Sequence, residues 1–134
     1  MESTLIYFLA RLFTCGVWTA AGTYKAFHFR QTTVEMTHNH VPWPKFVLPL
    51  VLVMEFGGSV MIIASQYVWA VALVWIAFTI PASLLYHTVC YDKDGNFIFP
   101  QMVQFSKNVS IIGGLLCLML LDPGKPQWLV EMLR

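Results

Sequence analysis

Four stretches of the chain are apolar over close to the twenty residues that a helix needs to cross about 30 Å of hydrocarbon. They run from about Thr4 to Tyr24, Phe46 to Ser65, Tyr67 to Tyr86, and Val109 to Leu121. The last is short, but the preceding PQMVQFSKN adds turns of helix, with Lys107 able to reach the headgroups along its apolar stem. The expected spans are therefore 4–24, 46–65, 67–87 and 106–121. Composition agrees: 57% of the 134 residues are hydrophobic and only 11% are charged, against about a quarter in a soluble domain. The bilayer is the expected solvent, and a net charge of +1 excludes a basic nucleic-acid binder. A cleavable leader is not expected, because the residues before the first run include Glu2 instead of a basic patch and the run continues past Arg11 without a small-residue cleavage site.

The expected fold is all-α: a single-domain integral membrane four-helix bundle, antiparallel and up-and-down. The second and third runs meet at a tight connection of Ser65 and Gln66, while the first and third connections are long. The face with the long connections holds Lys25, Arg30, Lys45, Lys93 and Lys107; the other holds Lys125 and Arg134. The positive-inside rule then puts the long loops in the cytoplasm and both termini outside.

Ionisable groups inside a span are costly unless paired or turned to the interior. Glu55 lies nine positions past Phe46, roughly 13 Å from the loop face, and Arg11 fourteen before Lys25, roughly 20 Å from it. Long arms close the difference, so an Arg11–Glu55 ion pair is expected, either as a pin that sets helix register or as part of a site. At the loop face, Lys25, His87 and Asn108 end or begin their helices and are expected at one membrane level. With Glu55, they form a candidate site for a quinone-like headgroup, His87 serving as proton donor or acceptor. The plainer reading is that Lys25 and His87 anchor helix ends at the interface.

Other features point to structure. His38 and His40, even with His28, match no zinc-ligand spacing, so no metal is expected. The DKDG segment has turn residues, but no acidic residue closes a calcium loop twelve positions on. Cys15, Cys90 and Cys117 form no CxxC pair and read as packing residues. Gly16, Gly22, Gly57, Gly58, Gly113 and Gly114 allow close helix approach, and Pro81 is placed to kink the third span.

In order, the RL that includes Arg11, the AGTYKAF ending the first span, Pro42, EFGG around Glu55, His87, and NVSIIGG beginning at Asn108 resemble the DoxX family. That resemblance implies a four-helix bundle in the cytoplasmic membrane of a prokaryote. It further implies relatives that serve as small subunits of a membrane thiosulfate:quinone oxidoreductase, or that accompany thiol-stress and amine-oxidising systems. It carries over Arg11, Lys25, Glu55, His87 and Asn108. The histidine-rich, aromatic HNHVPWPKF connection departs from the pattern and suits a docking surface or an interfacial belt.

Three functions follow as expectations. The first is a quinone-interacting or accessory membrane subunit of an oxidoreductase. The chain encodes no haem, flavin or iron–sulfur motif, so any cofactor is a bound quinone and other subunits, or further copies of the chain, are the expected partners. The second is a non-catalytic anchor or assembly partner. The third is a small transporter built around Glu55, which would need an oligomer.

Overall fold

The computed structural model describes residues 2–87, 90–92 and 94–132. The chain is all-α. Its helices are α1 (Glu2–Phe27), α2 (Phe29–His38), α3 (Pro44–Ile63), α4 (Val68–Tyr86), α5 (Phe99–Leu121) and α6 (Gln127–Met132). Four are long and apolar enough to cross a bilayer: Thr4–Phe27 within α1, then α3, α4 and α5. By contacts the chain divides into two compact units, Met1–Val68 and Trp69–Arg134.

In the first unit, α1 and α3 form an antiparallel hairpin. The Cys15 thiol lies 3.5 Å from the carbonyl of Ser59, and Gly22 lies against Glu55 and Phe56. The connection between them, expected as a polar loop, holds a helix. At His28 the backbone leaves helical geometry with ψ 35, yet His28 N–H still reaches Tyr24 O and Thr32 N–H reaches His28 O. The chain therefore bends there without unwinding. Thr32, Thr33 and Met36 give α2 a buried stripe, and α2 packs beside α3.

The turn back into α3 uses the HNHVPWP residues. Asn39 N–H and Nδ2 both donate to Glu35 O, and Val41 N–H closes on Met36 O. His40 and Trp43 take left-handed φ of 59° and 46°, and Pro44 begins α3 at a position where its missing N–H costs nothing.

In the second unit, α4 and α5 run antiparallel, with Trp69 facing Asp122, Ser83 facing Asn108 and His87 facing Gln101. The fourth span starts at Phe99, seven residues before the expected position, because Pro100 opens a helix whose first turns are polar. Beyond α5, α6 brings Trp128 edge-on to Trp69 at 5.7 Å. Hydroxyls in these apolar helices bond to the carbonyl four residues back, as in Thr19 to Cys15, Ser59 to Glu55, Thr79 to Trp75 and Ser83 to Thr79. That pattern satisfies polar side chains where no water is available.

Between α4 and α5, Asp94, Gly95 and Asn96 turn around the Asp92 carboxylate. Its Oδ1 accepts from the N–H groups of Asp94 and Asn96, and its Oδ2 from Asn96 Nδ2. Gly95, at φ 80°, supplies the left-handed residue. These bonds, led by the Asn96 side chain, hold the Asp92 carboxyl below the usual carboxylate range.

Candidate functional site

The expected site residues fall into two clusters, one in each unit. The first is built around Glu55, the twelfth of twenty residues in α3 and 1% exposed. Its Oε1 receives the Lys25 ammonium, and the two form a salt bridge. Its Oε2 is buried with no hydrogen-bond partner among the described residues. Gly22 makes room for this carboxylate: a Cβ there would fall 3.1 Å from Oε2 and 3.1 Å from the Phe56 ring.

Arg11 does not pair with Glu55. Its Nη1 donates to the carbonyls of Ile62 at 3.2 Å and Ile63 at 3.4 Å and to the Ser65 hydroxyl. The guanidinium also stacks over the Tyr7 ring at 4.8 Å. The reason is register. With Cys15 opposite Ser59, Arg11 falls opposite Ile63, about 12 Å along the helix from Glu55. Lys25 was expected level with Phe46 at the loop face. Because α1 continues through α2 alongside the first half of α3, Lys25 instead sits three to six positions from the level of Glu55, about 5–9 Å, a gap its four-carbon arm spans. Arg11 thereby takes the place of a C-cap, giving the last carbonyls of α3 a donor and its negative dipole end a cation.

The second cluster lines one face of the α4–α5 pair. His87, just past the end of α4, has Nδ1 2.8 Å from Gln101 Oε1. One turn deeper, Asn108 Nδ2 donates to Ser83 Oγ at 2.8 Å. Thr79 and Ser83 are buried, at 5% exposure each. Together with His87 they repeat every four residues along α4. Gln101 and Asn108, seven apart, share the facing stripe of α5. His87 Nε2 and Asn108 Oδ1 have no hydrogen-bond partner among the described residues. His87 and Asn108 thus face the same helix pair, though not at one level as expected: His87 meets Gln101, and Asn108 meets Ser83.

Several working residues escaped the sequence reading. Ser83 and Gln101 stand four before His87 and seven before Asn108, a helical spacing that flags them once the flanking polar residue is suspected. Asp122 is a third. Its Oδ2 accepts the N–H of Trp69 at 2.9 Å and its Oδ1 that of Gly124 at 3.0 Å. A buried carboxylate from the end of α5 therefore caps the start of α4, where helix N–H groups lack partners. Its signal was the DPG that closes the apolar run. The HNH residues serve the α2–α3 turn, with His38 ending α2 and His40 in the left-handed region.

Comparison with known proteins places this architecture. The family model described as DoxX matches residues 6–88. Among curated proteins, the chain is similar to the inner membrane protein YphA of Escherichia coli K12, 27% identical over 120 residues that cover 90% of this chain and 85% of the relative. It is also similar to the inner membrane protein YqjF of the same organism, 35% identical over 81 residues that cover 60% of this chain and 58% of the relative. No solved structure matches. With four membrane-length apolar helices and a family match over 83 of its 134 residues, the chain is an integral membrane protein and belongs to the DoxX family.

Proposed function

We propose that the chain is an accessory membrane subunit of an oxidoreductase, holding a quinone-type headgroup on the α4–α5 face and working beside a partner that carries the redox centre. One observation carries this reading: an imidazole fixed by Gln101, with its second nitrogen unpartnered among the described residues, stands at the end of an apolar helix pair one turn from the Asn108 amide. A few placed polar groups in apolar surroundings are what a headgroup site requires. The residues fit such a group: His87 and Asn108 would orient the ring, and apolar flanks such as Leu84 would accept its tail. When bound, the quinone supplies the electron-carrying chemistry. The chain supplies hydrogen bonds, an imidazole that can hold a proton, and exclusion of water.

The inner-membrane relatives support a cytoplasmic-membrane location. Arg30 in α2, Lys45 and Lys107 toward the starts of α3 and α5, and Lys93 between α4 and α5 in the sequence support cytoplasmic loops and outward termini. The test is purification in nanodiscs followed by lipid extraction and mass spectrometry. Near-stoichiometric quinone in the wild type, lost in His87→Ala, is the expected result.

A non-catalytic anchor is the second reading. It is favoured by Arg11 and Lys25, whose charges are both engaged with α3. An empty wild-type protein that carries a tightly bound partner would replace the first reading with this one.

A further inference from the structure

The α4–α5 face has a hydrogen-bond polarity that follows from its helices. Thr79 Oγ donates to Trp75 O and Ser83 Oγ to Thr79 O, each at 2.7 Å. The Ser83 proton is therefore committed to its own helix. Ser83 can offer Asn108 only a lone pair, so the amide must approach through Nδ2, as it does at 2.8 Å. That fixes the amide's orientation and leaves Asn108 Oδ1, an acceptor, as its free end.

A second contact lies one turn outward. Gln101 presents Oε1 to His87 Nδ1 at 2.8 Å. With Gln101 in this orientation its oxygen accepts from Nδ1–H, and the neutral ring keeps a lone pair at Nε2. Both free polar ends on this face, His87 Nε2 and Asn108 Oδ1, are acceptors.

A quinone ring offers only acceptor oxygens and would meet these groups lone pair to lone pair. Its reduced form carries two hydroxyls, each a donor. Building on the quinone reading above, we propose that the α4–α5 site selects the hydroquinone over the quinone, with His87 and Asn108 accepting from the ring hydroxyls and Gln101 and Ser83 acting as positioning residues that set the polarity. Sites built to pair a hydroxyl discriminate strongly against analogues that lack it, because the buried partner is left unsatisfied.

The test uses the full chain in phosphatidylcholine nanodiscs, whose headgroups carry no hydroxyl donors, at pH 8. Binding of decylubiquinol, kept reduced under anaerobic conditions, is compared with that of decylubiquinone by equilibrium partition. The expected wild-type result is at least about tenfold tighter binding of the quinol. Asn108→Leu, which removes one acceptor, should narrow that ratio. The wild-type ratio decides the matter even if this variant fails to fold. Equal affinities, or a preference for the quinone, would overturn the polarity argument while leaving the quinone reading in place. Binding of neither form would overturn both.

Discussion

Replacing Lys25 with Met tests the energetics of the α1–α3 hairpin most directly. Glu55 is 1% exposed, its Oε1 is held by Lys25, and its Oε2 has no partner among the described residues. Lys25→Met therefore leaves a buried carboxylate with no counter-charge, and apolar walls cannot replace the lost hydrogen bond. Breaking a buried pair from one side costs about 3–5 kcal/mol, which lowers the folding equilibrium constant by roughly two to three and a half decades.

The double variant Lys25→Met with Glu55→Met removes both charges and should return to within about 1 kcal/mol of the wild type, since a buried pair contributes little beyond what apolar residues of similar volume supply. Reversible unfolding by sodium dodecyl sulfate in bicelles, followed by far-ultraviolet circular dichroism, measures all three proteins. A loss under about 1 kcal/mol for Lys25→Met, or a double variant no more stable than the single one, would show that Glu55 finds another partner and that the pair is not what fixes it.

Other substitutions test the remaining geometry. Gly22→Ala should cost about 1–3 kcal/mol, because its Cβ would press on Oε2 of Glu55 and on Phe56, whereas Gly57→Ala, with nothing within 4 Å, should be neutral or slightly stabilising in the same unfolding assay. Arg11→Leu should lose about 1.5–3 kcal/mol with the charged cap of α3, and Arg11→Lys should recover only part, since a compact ammonium loses the stacking of the planar guanidinium over Tyr7.

The Asp92 turn should respond to acid in a defined direction. Its folded carboxyl titrates below the unfolded value, so the turn's contribution is fully present above the ordinary carboxylate range and is lost as pH falls through the depressed value. Carboxyl carbon shifts of Asp92 followed by NMR should track amide exchange at Asp94 and Asn96. Titration at the ordinary carboxylate value would show that the turn bonds do not form.

The four spans were legible because lipid demands long apolar helices and the chain has few charges to confuse them. What resisted reading was register. Counting from the apparent ends of the runs put Lys25 at the loop face and Arg11 opposite Glu55. The polar FRQTTVEMTH sequence lacks the continuous apolarity of a span, so nothing in its composition showed that α1 continues past His28 and carries Lys25 inward. Once the hairpin is that long, Glu55 meets the nearer cation and Arg11 reaches the end of α3.

The second cluster was half legible. His87 and Asn108 stand out as polar residues bordering or interrupting apolar runs, but the Ser83 and Gln101 that orient them are ordinary surface residues by type. Their roles come from three-dimensional pairing across α4 and α5. The DPG after the fourth run marked the end of a helix, but not that Asp122 caps Trp69, its partner lying 53 positions away in sequence.

The two helix caps also set an order for biogenesis. Arg11, which covers the final carbonyls of α3, is synthesised before α3 and is available as soon as that helix emerges. Asp122, which covers the first turn of α4, is synthesised more than fifty residues after it. The end of α3 therefore has its cap once Ser65 is in place, while α4 enters the membrane with a Trp69 amide that waits for the end of α5. A chain truncated before Asp122 would leave that start uncapped.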